Sequence, residues 1–384
     1  MPSQMKKDIL QGDLYINGEW VNAPDQSYFK SLNPATGELV GMCAAATLGQ
    51  VNEAVEHANE AYSIWKNTPI PERSAYLLKA AHLFEQRKQE IASVMTMEMG
   101  KVLPESLGEV GVVIATAQYM AGEGRRLFGE TVPAGFPDRN VRMIREPLGV
   151  AACITPWNFP VALASYKIFS ALIAGNTVVW KPASEVALSA KIFMEILDEA
   201  GFPAGVVNLI TGSGRIVGQT LAEHPDVKVI SFTGSTEVGQ KLTEMGSKTL
   251  KRISLELGGK NAVIVLKDAD LDKAADGIIK SAFTTTGQRC TAASRVIVER
   301  PVKEPLVQKL ADLTKSMKIG NGLEEGNQIG PLVNEEQLHT VEKYVNTAIE
   351  EGGKIVSGGQ RVKDLGGYYY EPTIIENVKP NHSI

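Results

Sequence analysis

The sequence has little cysteine, little histidine and no excess of positive charge, and each shortage removes a class of function. Its three cysteines, Cys43, Cys153 and Cys290, lie far apart without any C-x-x-C spacing. Neither a disulfide framework nor a zinc site is expected, and a reducing compartment is the natural home. The five histidines, His57, His82, His224, His339 and His382, are scattered with no H-E-x-x-H spacing, so no metal centre is expected. Lysine and arginine number 39 against 44 acidic residues, a net charge of −5, which lacks the basic footprint of a nucleic-acid binder. The longest charge-free stretch, 147–166, is broken midway by Pro156, Asn158 and Pro160, a combination that a lipid-facing helix does not tolerate. The start, MPSQMKKDILQGDL, has two lysines but no apolar run after them, so no secretory leader is read there. The expectation is a soluble cytoplasmic protein with no nucleic-acid or membrane partner.

What is present is ordinary globular material. The chain has 384 residues, of which 43% are apolar and 22% charged. At about 150 residues per domain this length suggests two or three domains. From 50 to 125 apolar residues recur at helical spacing, with Pro69 and Pro71 separating two helices and Gly100 placed as a helix cap. YINGEW, 15–20, reads as a strand. After Pro147 short apolar runs at 150–154, 177–180, 206–210 and 227–232 alternate with helical segments at 161–174, 186–200, 215–223 and 237–247. A second series follows, with strands at 262–266 and 295–298 and helices from 271 and over 302–316. Such alternation predicts an α/β fold with parallel sheets, in two lobes with a cleft. Ligands in such folds bind beyond the carboxyl ends of the strands.

Several strand-end segments carry residues suited to chemistry, each with a plain structural alternative. Gly212-x-Gly214-x-x-x-Gly218 follows a strand but is one residue too long for the dinucleotide fingerprint, and no acidic residue ends the next strand. In FTGSTEVG, Gly234 and Ser235 open a helix whose amides can receive a pyrophosphate, or are a glycine turn with an N-cap. Lys181, in WKPAS, can reach ribose hydroxyls or a phosphate, or is a solvated strand-end lysine. Ser184, at the end of the same segment, can cap the next helix. Cys290 sits among polar neighbours in TTTGQRCTAASR, which favours a reactive thiol, whereas Cys43 and Cys153 lie in apolar runs. Glu256, beside Gly258 and Gly259, suits a general base or pairs with Lys260 or Arg252. Asn158, between two prolines, is an oxyanion donor or a turn residue.

Taken together, PWNFP (156–160), VVWKPAS (178–184), FTGSTEVG (232–239), LELGGKN (255–261) and GQRC (287–290) resemble the NAD(P)-dependent aldehyde dehydrogenase superfamily in order and spacing. The likeness runs from YINGEW to YYEPTI, and around 161–215 and 284–298 it is most similar to the bacterial α-ketoglutaric semialdehyde branch. The resemblance implies a Rossmann-like cofactor domain over 1–128 and 148–257, an oligomerisation flap over 129–147 and a catalytic domain over 258–384. It implies a homodimer or homotetramer that oxidises a small semialdehyde with NAD or NADP. Cys290 would be the nucleophile, Asn158 the oxyanion donor with the Cys290 N–H, and Glu256 the base that activates water. Lys181 and Ser184 would meet the adenosine ribose, Gly214 and Val238 the adenine, and Gly234 and Ser235 the pyrophosphate. Ile154, Thr155 and Trp157 would line the nicotinamide side, and Leu257 joins the cofactor set.

Two departures from the family pattern qualify what it implies. The chain stops at Ile384, before the family's E-I-F-G-P segment and its C-terminal strand, which leaves an inactive nucleotide-binding protein as the rival of another class. Tyr166 stands where succinic semialdehyde dehydrogenases carry an arginine, and Thr291 and Ala292 replace their second cysteine. Succinic semialdehyde or a broad aldehyde range is therefore the alternative substrate. A cysteine hydrolase lacks a suitably placed histidine.

Overall fold

The computed structural model describes residues 9–24 and 27–384, so the leader reading at 1–8 falls outside the described residues. The chain forms two compact units. The first holds the residues up to Ser31 with Gly41–Ala92 and Leu107–Leu257; the second holds Leu32–Val40, Ser93–Ser106 and Gly258–Ile384.

The first unit is built on a seven-stranded sheet in the order Arg252–Leu257, Val227–Gly234, Val150–Ile154, Thr177–Lys181, Val207–Leu209, Leu14–Ile16 and Glu19–Val21. The first five strands run parallel, Leu14–Ile16 runs antiparallel to them, and Glu19–Val21 pairs antiparallel with Leu14–Ile16. Every residue of Val150–Ile154 and Thr177–Lys181 is buried. That is why these segments read as unbroken apolar runs and not as alternations. Side chains alternate between two covered faces. Val179 joins Val51, Ala54 and Ala58 of helix Leu48–Trp65 on one face. On the other, Trp180 meets Phe193 of helix Ala187–Ala200 at 5.1 Å between ring centroids, and Phe193 meets Phe84 of helix Ile70–Gln86 at 4.8 Å.

Two local readings change. YINGEW is not one strand but the turn of a hairpin pairing Leu14–Ile16 with Glu19–Val21. Asn17 (φ 52°) and Gly18 (φ 84°) take the left-handed conformations that a two-residue hairpin turn needs. The helix expected over 215–223 begins as a wide π turn, Gly214–Gly218, before the short helix Gln219–Glu223. An exposed hairpin, Glu130–Val132 with Val141–Met143, stands as its own two-stranded sheet inside the expected flap.

The second unit pairs Asn261–Val265 with Ala293–Val298 in parallel and Lys354–Ser357 with Ile374–Glu376 antiparallel. Helices Leu271–Phe283 and Lys303–Ser316 bury Ile278, Ile279, Leu306 and Leu310 against Val265. Segments 32–40 and 93–106, assigned from sequence to the first domain, belong to this unit. Close backbone approach explains it: a Cβ on Gly330 would sit 1.9 Å from the Gly100 carbonyl oxygen, and the Tyr368 N–H donates to the Pro34 carbonyl at 3.0 Å. Among the described residues no helix is long and apolar enough to cross a membrane.

Candidate active site

In the first unit the chain runs outward from Val150–Ile154 through Thr177–Lys181 to Val207–Leu209, then returns to place Val227–Gly234 on the other side of Val150–Ile154. The strand order therefore reverses between Val150–Ile154 and Val227–Gly234, the place where open α/β sheets bind ligands. A cavity of about 550 Å³ opens there, and its walls include Ile154, Thr155, Trp157, Lys181, Gly214, Gly234, Ser235 and Val238. These are eight of the expected cofactor residues. Ser184 and Leu257 are not in the walls. The Ser184 hydroxyl donates to the Gly212 carbonyl at 3.3 Å and caps no helix, tying the loop after one strand to the loop after the next. Leu257 lies beneath the preceding helix, Thr236–Ser247, where a Cβ on Gly239 would come within 2.9 Å of its side chain.

The cavity walls are held by specific bonds. Trp180 Nε1 donates to Thr155 Oγ1 at 2.9 Å, which fixes that hydroxyl. A larger residue at Gly234 would displace the Phe232 ring, from which its Cβ would lie 2.4 Å away. Ser235 caps helix Thr236–Ser247 by accepting from the Val238 N–H, so the first amides of that helix face the cavity end with its partial positive charge. Lys181 is buried, donates from Nζ to the Pro182 carbonyl at 2.8 Å, and burial pushes its ammonium down to about 8, opposed by Glu185. Thr233 Oγ1, in the same wall, is buried without a partner.

The expected catalytic residues divide between the units. Asn158 lies in the loop after Val150–Ile154, where its Oδ1 accepts from the Phe159 N–H at 3.1 Å. The same loop is tied down by buried Glu109, which accepts from the Val161 and Ala162 amides, each at 2.9 Å. Glu256 stands in register with Thr233 on the neighbouring strand. Lys167 sits near it and donates to Ser231 Oγ at 3.2 Å; burial lowers the Lys167 pKa, while Cys153 and Glu256 oppose that shift. Cys153 is wholly buried and its thiol is pushed up to about 12, which leaves it protonated and inert at neutral pH.

Cys290, in the second unit, is exposed. Its carbonyl accepts from Asn261 Nδ2 at 2.7 Å, and Asn261 also reaches the Ala292 carbonyl at 3.1 Å. The preceding Arg289 donates to the Ser281 carbonyl at 2.7 Å, and Gln288 Oε1 accepts from the Val333 N–H at 3.1 Å. The thiol thus projects from a loop whose neighbours are bonded back into their own unit.

The sequence model described as the aldehyde dehydrogenase family matches residues 20–384. The chain belongs to that family. It is similar to the α-ketoglutaric semialdehyde dehydrogenase of Bacillus subtilis (strain 168), 43% identical over 96% of this chain and 77% of that protein. A glutarate-semialdehyde dehydrogenase of Pseudomonas putida is 41% identical over 96% of this chain and 76% of its own. The NADP⁺-dependent succinate-semialdehyde dehydrogenase of Escherichia coli is 39% identical over 98% and 78%. Among solved structures, an NADP-dependent enzyme of E. coli superimposes with a TM-score of 0.95 at 38% identity, over 98% of this chain and 78% of that one. A betaine aldehyde dehydrogenase of Staphylococcus aureus, solved with NAD⁺, gives 0.94 at 33% identity, over 96% and 74%. The fold is that of the aldehyde dehydrogenases, and the cofactor of this dehydrogenase is NAD or NADP.

The cavity fits such a dinucleotide. It supplies helix-start amides for a pyrophosphate and a cation at Lys181. Thr233 Oγ1 is a buried hydroxyl that lacks a bond. Sequence reading of the dehydrogenase missed Thr233 as a cavity residue, and Glu105, Glu109, Lys167 and Asn261 as side chains that tie down the segments around Thr285, Val161, Ser231 and Cys290. Only Asn261 carried a signal, its place in LELGGKN.

Proposed function

We propose that this dehydrogenase oxidises a small semialdehyde, α-ketoglutaric semialdehyde, to its carboxylic acid by way of a thioester on Cys290. The first unit serves as the cofactor domain and the second as the catalytic domain. The Cys290 thiolate adds to the aldehyde carbon, and the oxygen that becomes negative is met by the Asn158 amide and the Cys290 N–H. Ile154, Thr155 and Trp157 would hold the nicotinamide, which would supply the acceptor for the hydride that leaves this carbon as the thioester forms. Glu256 then takes a proton from water, whose oxygen attacks the thioester, releasing the acid and regenerating the thiolate. The observation that carries hydrolysis is Glu256 itself, a carboxylate on strand Arg252–Leu257 in register with Thr233 of the cavity wall.

The substrate reading is supported by the names of the three semialdehyde dehydrogenases above, each of which names an aldehyde that also carries a carboxylate. Tyr166, 48% exposed, stands in place of an arginine, and Thr291 follows Cys290; both favour α-ketoglutaric over succinic semialdehyde. We place the enzyme in the cytoplasm, where its three free cysteines stay reduced, as a homodimer or homotetramer.

A panel of aldehydes followed by NAD(P)H absorbance tests the substrate. The highest kcat/KM is expected for α-ketoglutaric semialdehyde, and a clear preference for betaine aldehyde or an unsubstituted alkanal overturns the reading. Glu256→Gln tests the chemistry. It should retain a burst of up to about one NAD(P)H per site, while steady turnover falls roughly 10²–10⁴-fold. Loss of the burst would show that Glu256 also activates the thiol.

A further inference from the structure

Thr285 and Thr286, just before Gly287-Gln288-Arg289-Cys290, have φ of 57° and 56°. Among the described residues they form the only consecutive pair of non-glycine residues in the left-handed region. For a β-branched side chain that conformation is an outlier, and it persists only where the surroundings hold it. Thr285 is 3% exposed, so its N–H has no water to turn to and needs a partner within the protein. The partner is Glu105, in the first turn of helix Leu103–Glu123, whose Oε1 accepts from the Thr285 N–H at 2.8 Å. Thr286 Oγ1 adds a second tie, donating to the Gly330 carbonyl at 3.1 Å.

We propose that Glu105 is a positioning residue: by holding the Thr285 amide it keeps the strained Thr285–Thr286 turn in place and thereby sets the direction in which Cys290 leaves it. The inference rests on Cys290 being the nucleophile. Without the Glu105 acceptor, Thr285 is released towards a right-handed or extended conformation, which redirects the peptide entering Gly287. The Cys290 carbonyl stays bonded to Asn261, so the loop is re-aimed and not detached. Burial raises the Glu105 pKa, while the Thr285 N–H, Lys101 and Arg289 pull it back and favour the carboxylate.

Three variants and one control test this. Glu105→Ala should lower kcat about 10–100-fold, the scale of a misplacement near 1 Å, with nucleotide affinity unchanged because the cavity lies wholly in the other unit. Glu105→Gln keeps an acceptor oxygen and should restore most of the rate. Glu105→Ala with Thr285→Gly should regain part of it, since glycine holds a positive φ without help. A Glu105→Ala enzyme of wild-type kcat, a Glu105→Gln enzyme as slow as the alanine variant, or a double variant no faster than the single one each overturns the assignment. Cys290→Ala, assayed alongside, separates the failures. Retained turnover there overturns the nucleophile reading itself, whereas a dead Cys290→Ala beside a fully active Glu105→Ala overturns only the role of Glu105.

Discussion

Lys181 is the residue whose environment most changes what its sequence position implied. A strand-end lysine reads as solvated, yet this one is 6% exposed and titrates near 8 instead of 10.5. The sign of the consequence follows from that direction. The folded chain disfavours the charged form, so between about 8 and 10.5 the unfolded chain holds the extra proton and stability rises with pH across that window. Binding shows the opposite slope. A 2′-phosphate beside Lys181 favours the ammonium, so NADP must draw a proton onto it once the pH passes about 8. The ratio of NADP to NAD affinity should be flat below pH 8 and fall as pH rises to 9.5, by up to about tenfold per pH unit. Paired titrations of the two nucleotides would measure it. A ratio constant across that range would place the 2′-phosphate away from Lys181, with Arg215 and Lys241 as the other cations of the cavity wall.

At the scale of elements, the hairpin Glu130–Val132 with Val141–Met143 is the least self-sufficient part of the first unit. Isolated two-stranded ribbons are marginal in water, and this one is exposed along both strands. Phe128, Phe136, Met143 and Ile144 around it are 71%, 59%, 57% and 63% exposed, a concentration of large apolar side chains that marks an interaction surface. The homodimer or homotetramer proposed above predicts that replacing these four by serine yields monomers in sedimentation velocity, with the nucleotide cavity intact. An unchanged sedimentation coefficient would remove the hairpin from the assembly. The sequence betrayed this element only by interrupting a helical pattern. It betrayed the buried parallel strands far better, because strands covered on both faces must be apolar at every position, as Val150–Ile154 is. The YINGEW hairpin is legible too, in its Asn-Gly pair between apolar flanks. Glu105 and Glu109 were not legible. On helix Leu103–Glu123 they are two carboxylates in a largely apolar run, and only the tertiary fold shows that one meets Thr285 and the other the amides at Val161 and Ala162. The return of 93–106 to the second unit was equally hidden, since it depends on the contact of Gly100 with Gly330 far along the chain.

At the scale of the molecule, the division into units makes cofactor binding separable from the thiol. All four tryptophans, Trp20, Trp65, Trp157 and Trp180, belong to the first unit, and none to the second. Trp65 and Trp180 are buried in its core, so tryptophan emission reports the unfolding of that unit alone. A ligand that binds only the folded form at a hundred times its Kd stabilises by about 2.7 kcal/mol. In a unit of this size that corresponds to a rise of roughly 5–10 °C in the emission-detected midpoint. The same rise is expected for Cys290→Ala, although that variant should have no dehydrogenase activity, because every residue lining the cavity lies in the first unit and Cys290 in the second. Loss of the nucleotide shift in Cys290→Ala would mean that the second unit is needed to bind the cofactor. The separation of roles between the two units would then fail, while the assignment of the thiol as nucleophile could still stand on the loss of turnover.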